Sequence, residues 1–355
     1  MKFNFLINKS TDVLIVDEGY SGLKIDHKKF YLLKNEIYLI YLFKSLFDSI
    51  KKINFSINLI KMNYFKNLIE SLNPKIVIGH DMNDRIFKIK KNFPYIKTIV
   101  YQFGYLFKGQ DEKIYGEILK NKKSNYYLVF NNNSKKFVNK FVKTKVIVAG
   151  SVKNNEKIIE KKNKKYDFYF ISQYRPLSRN VKDNYYLLYE RNNMKKIISK
   201  VIKYCDENNK SLVIALSSNR NDKLRYSFIK EEINFYRSIS SKILFFPKKK
   251  SLEIASFCKV AICYSSNLGA EILAQGNKVI FFGISKYAKF LFKKKNTMCN
   301  IESINQKLIN KKFNNILNIS DSNWKKYCKK IQLIRYDKKN KLLNDLLLKL
   351  LNTVK

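Results

Sequence analysis

The chain has 355 residues, of which 45% are hydrophobic and 28% charged, with only ten glycines and four prolines. This composition excludes a low-complexity or intrinsically disordered protein and supplies enough apolar material for two α/β domains. The formal net charge of +43, from 71 basic and 28 acidic residues, points to an anionic partner, either nucleic acid or a membrane surface. Lys, Asn, Ile, Phe and Tyr are abundant together, a pattern typical of A+T-rich codons, so the charge alone does not name the partner.

Two absences narrow the class of protein further. No run of 18 or more apolar residues occurs, and the first ten residues lack the apolar core and cleavage site of a secretory signal. The five cysteines form no CxxC pair and only two histidines are present, which disfavours a zinc site and favours reduced cysteines. The expected location is the cytoplasm, with peripheral contact between the basic surface and an anionic inner membrane.

The first half of the chain alternates strand and helix patterns. Short apolar runs bounded by turn residues predict strands, and apolar residues spaced by three and four predict helices. In chain order the predicted elements are a strand at 12–17, helices at 35–51 and 61–72, a strand at 75–79, a helix at 84–93, strands at 97–102 and 126–130, a helix at 134–142 and a strand at 145–149.

The second half repeats this alternation after a polar, lysine-rich stretch. Its predicted elements are a strand at 167–172, a helix at 184–205, a strand at 212–216, a helix at 222–238, a strand at 243–246, a helix at 252–257, a strand at 260–263, a helix at 268–275 and a strand at 278–282. Residues 304–355 are predicted to be helical throughout, and the leucine stripe at 342–351 predicts core packing.

Strands that alternate with helices predict parallel sheets, so the chain is predicted to be α/β with two Rossmann-like domains facing a cleft and a helical C-terminal tail. The predicted boundaries are an N-terminal domain at 1–150, a linker at 151–165, a C-terminal domain at 166–320 and C-terminal helices at 321–355. Ligands of such folds bind at the carboxyl ends of the strands. Residues that directly follow a strand are therefore the candidate site residues.

The segment 260–283 is the most informative, because it predicts a strand, a polar turn, a helix and a second strand. A helix N-terminus after a strand offers unsatisfied N–H groups and a partial positive charge, which suit a phosphate. The candidate phosphate-binding residues are Ser265, Ser266, Asn267, Leu268 and Gly269. Glu271 is a candidate for hydrogen bonds to ribose or sugar hydroxyls. The alternative is that Ser or Asn here only caps the helix.

Polar residues also follow two strands of the N-terminal domain. Asp81 lies just past a strand end and is a candidate base for an acceptor hydroxyl or a candidate nucleophile, and the alternative is that it caps the following helix. His80 is a candidate orienting group or, more simply, a turn residue. Asn83 is either an acceptor ligand or the cap of the following helix. Gln102 and Gly104 follow the next strand and are further candidates for binding an acceptor.

A third set of polar residues follows two strands of the C-terminal domain. Ser172 and Gln173 are candidates to bind a base or phosphate, as is Ser217 after the next strand. Arg175 is a candidate partner of a phosphate or carboxylate, and a structural salt bridge is the alternative. The acidic pair at 231–232 is interpreted as part of a solvated helix face.

Five of these segments, taken in order, resemble a known family. They are Asp81 to Asn83, Gln102-Phe-Gly104, Gly150-Ser-x-x-Asn-Asn155, Ile-Ser-Gln-Tyr-Arg175 and Ser-Ser-Asn-Leu-Gly-Ala-Glu271. This order resembles the bacterial transferases of capsule and O-antigen biosynthesis, which are GT-B-like and similar to Kdo-type glycosyltransferases. The sequence departs from that pattern at Phe103, where the family commonly has Asn, and its Asp81 segment matches only loosely.

The resemblance implies a metal-independent glycosyltransferase without a cofactor. It would move a sugar from a nucleotide-sugar donor, such as a CMP-Kdo-like one, to a surface polysaccharide or lipid-linked glycan. The C-terminal domain would bind the donor through the residues at 172–175, Ser217 and the 265–271 segment. The N-terminal domain would bind the acceptor beside His80 and Asp81.

The same residues also fit other functions. A CDP-glycerol-type glycerophosphotransferase would use the same phosphate site, and a sugar-nucleotide 2-epimerase would act without an acceptor. A non-enzymatic binder of an anionic surface or nucleic acid would depend on charge alone, and its affinity would fall steeply with salt. Nucleic acid is the least expected partner, because no RNA-recognition signature of aromatic and glycine residues is present.

Overall fold

The computed structural model describes most of the chain. The described ranges are 2–5, 10–16, 29–31, 36–51, 56–104, 110–120, 122–156, 159, 163–177, 181–217, 226–246, 251–264, 266–284, 297–331 and 333–353. Among the predicted site residues, Ser265 lies outside these ranges, as does the start of the helix predicted at 222–238. Within the described ranges, no helix is both long enough and apolar enough to span a bilayer.

The strands are short and mostly buried. In chain order they are β1 (Lys2–Asn4), β2 (Val13–Ile15), β3 (Lys29–Tyr31), β4 (Glu36–Tyr38), β5 (Ile76–His80), β6 (Lys97–Tyr101), β7 (Tyr126–Val129), β8 (Lys145–Val148), β9 (Tyr166–Ile171), β10 (Leu212–Ala215), β11 (Leu244–Phe245), β12 (Cys258–Cys263), β13 (Lys278–Phe282) and β14 (Asn300–Ile301).

Helices connect most of these strands. In chain order they are α1 (Leu39–Lys51), α2 (Ile57–Leu72), α3 (Asp84–Asn92), α4 (Gln110–Leu119), α5 (Asn132–Val138), α6 (Val152–Asn155), α7 (Val181–Glu207), α8 (Tyr226–Arg237), α9 (Ser251–Phe257), α10 (Asn267–Ala274), α11 (Gln306–Asn318), α12 (Asp321–Ile331) and α13 (Lys341–Thr353). The predicted alternation of strands and helices is therefore present in both halves of the chain.

The chain divides into two compact units, and the first comprises residues 1–104, 114–156 and 337–355. Its main sheet is parallel, with the strand order β3-β2-β5-β6-β7-β8. From β2, the chain first adds β3 on one side and then adds β5 to β8 on the other side. Such a reversal leaves a crevice at the carboxyl ends of the strands on either side of it, here β2 and β5. The central strands are continuous apolar runs because both of their faces are buried.

The second unit comprises residues 105–113 and 157–336. Its sheet is also parallel and has the order β11-β10-β9-β12-β13-β14. Counted along the chain, this is the 3-2-1-4-5-6 order of doubly wound nucleotide-binding folds, and it reverses between β9 and β12. Both strands are buried along most of their length. The carboxyl ends of β9 and β12 are therefore the place where a ligand of this unit is expected.

Short strands and a broken tail are the main differences from the sequence predictions. The helix predicted at 35–51 starts with β4, which pairs in parallel with β1. The tail at 304–355 is not helical throughout, because Lys339 and Asn340 adopt left-handed φ values of 57° and 50° between α12 and α13. The linker predicted at 151–165 begins with the short helix α6.

Residues 337–355, assigned from the sequence to C-terminal helices, pack in the first unit. The leucines of α13 lie in one buried cluster with apolar residues of β2, β5 and β6. A pair of buried amides fixes the start of this helix. The Asn340 side chain donates to the Val152 carbonyl at 2.8 Å and accepts from Asn155 at 2.9 Å, and Asn155 also donates to the Ala149 carbonyl at 2.9 Å.

We expect Asn340→Ala to lower the free energy of unfolding by about 2–4 kcal/mol, because it leaves buried polar partners unsatisfied and places Ala in a left-handed conformation. Urea denaturation followed by circular dichroism measures the change. The matched control is Asn352→Ala, which removes an exposed amide from α13, with an expected change within about 0.5 kcal/mol. Equal effects of the two substitutions would contradict the structural role of the amide pair.

Candidate active site

The donor residues predicted from the sequence lie together at the carboxyl edge of the second unit's sheet. β9 pairs with β12 so that Ile171 lies opposite Cys263. Ser172 and Gln173 directly follow the first of these strands, and Ser266 begins the helix that follows the second. This edge is the reversal point of the sheet, where the doubly wound fold leaves a crevice.

The start of α10 approaches β12 very closely. A Cβ atom on Gly269 would lie 2.6 Å from the Cys263 Sγ and 2.9 Å from the Phe281 ring, so only glycine fits there without a shift of the neighbours. The Cys263 thiol donates to the Ser266 carbonyl and accepts from the Ser266 N–H, both at 3.3 Å. Burial raises the pKa of this thiol to about 12, so it acts as a structural group.

Ser266 caps α10, which was the alternative to a phosphate-binding role in the sequence prediction. Its hydroxyl oxygen accepts from the Leu268 N–H at 3.2 Å. Asn267 and Leu268 form the half-buried first turn, and Glu271 lies one turn further along with only 6% of its surface exposed. The cap therefore fixes where the helix starts, and the N-terminus carries the positive end of the helix dipole.

Glu232 organises the polar residues that follow β9 and β10. Its carboxylate accepts from the hydroxyl of Ser172, from the Ser217 N–H at 2.8 Å and from the Ser217 hydroxyl at 3.0 Å. Tyr236 donates to the Ser172 hydroxyl at 2.7 Å. Glu232 is fully buried, so the interpretation of residues 231–232 as a solvated helix face is wrong for this residue. A carboxylate with several donors survives burial, whereas an unpaired one would not.

Its neighbour Glu231 is exposed and belongs to a second cluster. It pairs with Arg191 at 3.1 Å and accepts from the Tyr174 hydroxyl. The Arg191 guanidinium also lies 4.3 Å from the Tyr174 ring centre and donates twice to the Arg175 carbonyl, at 2.7 and 3.1 Å. Arg191 therefore holds the backbone of the 172–177 segment in place.

A small pocket opens beside these residues. Its lining includes residues that follow both strands of the reversal point, together with one face of α7. They are Gln173, Arg175, Tyr186, Leu187, Glu190, Arg191, Met194 and Tyr264. The side chain of Arg175 is exposed at this pocket. The exposed guanidinium of Arg175 suits an anionic ligand such as a phosphate, whereas the guanidinium of Arg191 is already paired with Glu231.

Asp81 lies at the carboxyl edge of the first unit's sheet, where His80 of β5 is opposite Tyr101 of β6. Its side chain is fully buried. One carboxylate oxygen accepts from the Tyr127 hydroxyl at 2.7 Å and the other from the Phe103 N–H at 3.1 Å. Burial raises the pKa of Asp81 to about 6, although both hydrogen bonds oppose the rise. The carboxylate thus fixes the segment after β6 and is not presented at the surface.

His80 is half-buried beside Asp81. Its Nδ1 accepts from the Met82 N–H at 3.1 Å, so a neutral imidazole carries its proton on Nε2. Its ring lies 4.8 Å from that of Phe103, and the Lys153 ammonium lies 5.3 Å from the Phe103 ring centre. This part of the edge therefore combines a hydrogen-bond donor, an aromatic surface and a cation.

The predicted acceptor residues have structural partners. Asn83 caps α3 by accepting from the Arg85 N–H at 3.1 Å, and its amide donates to the Val16 carbonyl at the end of β2. Gln102 is buried, donates to the Gly104 carbonyl at 2.7 Å and accepts from the Phe130 N–H at 2.9 Å. These contacts give the edge its shape. Within the described ranges, no group of three or more His, Cys, Asp or Glu side chains is arranged to hold a metal ion.

Sequence reasoning missed several residues of these sites. Glu232 and Arg191 lie on helices and not at strand ends, Tyr127 was predicted to be an ordinary strand residue, and Tyr264 was predicted to lie in a polar turn. Their residue types did offer a signal. A carboxylate or hydroxyl within an apolar strand or helix is nearly always hydrogen-bonded when it is buried, so such a residue points to a polar partner nearby.

Comparisons with known structures show the fold. The chain is similar to UDP-GlcNAc 2-epimerase from Neisseria meningitidis bound to UDP-GlcNAc, with 12% identity, a TM-score of 0.57 and coverage of 96% of this chain and 100% of that one. It is similar to the Methanocaldococcus jannaschii UDP-GlcNAc 2-epimerase in complex with UDP-GlcNAc and UDP, with 14% identity, a TM-score of 0.52 and coverage of 98% and 99%.

A third similar structure is a UDP-forming α,α-trehalose-phosphate synthase from Burkholderia xenovorans, with 10% identity, a TM-score of 0.52 and coverage of 97% and 99%. At such identities the similarity speaks for the fold alone. It confirms the predicted α/β, GT-B-like class with parallel Rossmann-like sheets.

Sequence comparisons show the family. A search of curated proteins found no match. The model of the family described as "putative O-antigen biosynthesis protein" matches residues 100–351, which is well over half of the chain. The chain therefore belongs to this O-antigen biosynthesis protein family.

Proposed function

We propose that this protein is a glycosyltransferase that moves a sugar from a nucleotide-sugar donor to a surface-polysaccharide or lipid-linked acceptor. The observation that carries the proposal is the reversal point of the second unit's sheet. There the polar ends of β9 and β10, the capped start of α10 and an arginine-lined pocket lie on one sheet edge. Membership of an O-antigen biosynthesis family supports a carbohydrate substrate.

The second unit would bind the donor. Its pyrophosphate would accept hydrogen bonds at the start of α10, where the positive end of the helix dipole favours an anion. Ser172 and Ser217 are held by Glu232, so their backbone segments are already in place before a ligand binds. Glu271 would accept from ribose or sugar hydroxyls. A CMP-linked acidic sugar of the Kdo type is one member of this donor class.

The first unit would bind the acceptor. His80 would donate from Nε2 to an oxygen of the substrate, because its Nδ1 already accepts from the backbone. Asp81 would act as a positioning residue, since both of its oxygens are engaged and its side chain is buried. A hydrogen-bond donor aimed at developing negative charge is a common source of catalysis.

A second candidate is a nucleotide-sugar 2-epimerase. Two of the structures with the same fold are epimerases whose crystals contain UDP-GlcNAc, and each is matched over nearly its whole length. An epimerase would convert the nucleotide sugar without any acceptor. The two candidates share the donor site and differ in the product.

The donor site is tested by thermal shift with CMP, CDP, UDP and GDP. A nucleotide at about 100 times its dissociation constant stabilises a protein by about 2.7 kcal/mol, which for a unit of this size raises the Tm by roughly 5–10 °C. We expect one nucleotide to give such a shift, and Glu271→Gln to lose it. Glu253→Gln, an exposed change on α9, is the matched control and should keep it. No shift with any nucleotide would contradict the donor site.

The reaction is tested by incubating the protein with sugar nucleotides whose base the thermal shift selects, with and without an O-antigen-type glycan acceptor. A transferase should release nucleotide only when the acceptor is present, and His80→Ala should slow this release by about 100-fold while leaving the nucleotide shift unchanged. Met82→Ala, an exposed neighbour, is the control. Formation of a C2 epimer in the absence of acceptor, detected by NMR, would instead favour the epimerase.

The assignment of Asp81 is tested by pH. Burial raises its pKa from 3.8 to about 6, so between these values the folded state keeps a proton that the unfolded state has released. The free energy of unfolding therefore falls as the pH rises from about 4 to about 6, by about 3 kcal/mol from this group, and is then constant. Asp81→Asn cannot titrate, so its stability relative to wild type should increase by up to that amount over this window.

Urea denaturation of both proteins at several pH values measures the difference. Asp84→Asn, which removes a largely exposed carboxylate three residues away, is the control. A difference between Asp81→Asn and wild type that does not change with pH would overturn the buried, titrating carboxylate.

A further inference from the structure

Helix α1 of the first unit is amphipathic in the reverse of the usual sense. Its buried residues are Tyr41, Ser45 and Ser49, all of them polar or carrying a hydroxyl. They face α2, where Asn63 donates to the Ser49 hydroxyl at 3.2 Å and the Tyr41 hydroxyl lies 2.6 Å from that of Ser71. Hydroxyl and amide side chains therefore contribute hydrogen bonds to the contact between α1 and α2.

Four of the apolar residues of α1 face outward. Ile40, Phe43, Phe47 and Ile50 are spaced by three, four and three residues, which places them on one side of the helix. Their exposed fractions are 38%, 61%, 58% and 52%. A helix on a water-exposed surface normally buries such a stripe and exposes its polar residues. The reversal indicates that something other than water covers this side of α1.

The apolar surface continues beyond α1. The Ile40 N–H donates to the Phe5 carbonyl at 3.3 Å, and the Phe5 side chain is 71% exposed. We call the set Phe5, Ile40, Phe43, Phe47 and Ile50 the α1 face. An exposed apolar patch built from several large side chains marks an interaction site.

Cations accompany the α1 face. Lys44 and Lys51 are exposed on α1, and the Lys51 ammonium lies 4.8 Å from the centre of the Phe47 ring. The two acids of α1 and α2 are already engaged. Asp48 accepts from the Asn67 amide on α2 at 3.0 Å, and Glu70 lies 3.7 Å from Lys66.

We propose that the α1 face docks on the surface of an anionic lipid bilayer. Phe43 and Phe47 would enter the boundary between headgroups and acyl chains, and Lys44 and Lys51 would lie at the lipid phosphates. Amphipathic helices with aromatic residues on one side and lysines beside them bind anionic bilayers in this way. The inference goes beyond the proposed function and does not require transferase activity, although it would bring a lipid-linked acceptor to the same surface.

A second copy of the chain fits this face less well. Each copy has a net charge of +43, and pairing two α1 faces would bring their lysines together. Like charges brought into contact oppose association. An anionic surface supplies the complementary charge that a second copy lacks.

The test is co-sedimentation of the purified full chain with vesicles of phosphatidylglycerol and phosphatidylethanolamine, and with vesicles of phosphatidylcholine alone. The test variant is the double substitution Phe43→Gln and Phe47→Gln. The matched control is Tyr185→Gln with Leu188→Gln, which removes two exposed apolar side chains from α7 in the second unit. Lys44→Gln with Lys51→Gln tests the cations. Circular dichroism and the nucleotide thermal shift verify that each variant is folded, independently of lipid.

We expect wild type and the α7 control to bind the anionic vesicles equally and the neutral vesicles weakly. The double phenylalanine variant should bind the anionic vesicles at least about tenfold more weakly, because two aromatic side chains no longer leave water. The lysine variant should lose much of the preference for anionic lipid. Failure of wild type to bind anionic vesicles, or unchanged binding by the phenylalanine variant, would overturn the proposal. So would a dimer, seen by analytical ultracentrifugation, that the phenylalanine substitutions dissociate.

Discussion

The parallel pairing of β9 with β12 is the constraint on which the second unit's site depends. These strands are far apart in sequence, and their pairing places Ile171 beside Cys263, so the polar segments that follow both strands emerge at one sheet edge. Everything proposed for the donor follows from this register. A shift by one residue would displace one polar segment along the edge and turn its side chains to the opposite face of the sheet. The close packing of Gly269 on Cys263 then fixes where α10 begins relative to that edge.

Buried carboxylates organise both candidate sites. Asp81 in the first unit and Glu232 in the second are fully removed from solvent, and each accepts hydrogen bonds from a backbone N–H and from at least one hydroxyl. A buried carboxylate is expensive unless its oxygens are satisfied, and once they are, it holds its donors in one geometry. Residues that would contact the substrate are therefore held in place by buried residues that would not contact it. This preorganisation lowers the entropy cost of binding.

The alternation of strands and helices could be predicted from the sequence because buried parallel strands are continuous apolar runs with clear turn residues between them. The same signal placed Asp81, Ser172 and Ser266 at strand ends. It could not find β1, β3, β4 and β14, which have two or three residues and exist through pairing with distant segments. Nor could it show that Asp81 is buried or that Glu232 faces inward. The residue type alone does not say whether a carboxylate in a turn or on a helix points towards the core or towards solvent.

In α1, the spacing of the apolar residues predicts the helix correctly but does not predict its orientation. The spacing of its apolar residues predicts a helix at 35–51 but not which side of that helix meets the rest of the protein. The usual assumption assigns the apolar side to the core, and here Ser45 and Ser49 occupy that position. Asn63 donates to Ser49 and Asn67 donates to Asp48, so α2 gains specific contacts with α1 that do not involve the phenylalanines of α1. Phe43 and Phe47 therefore stay on the surface of the folded chain. Their exposure to water is unfavourable, and contact with an apolar surface outside the chain would relieve it.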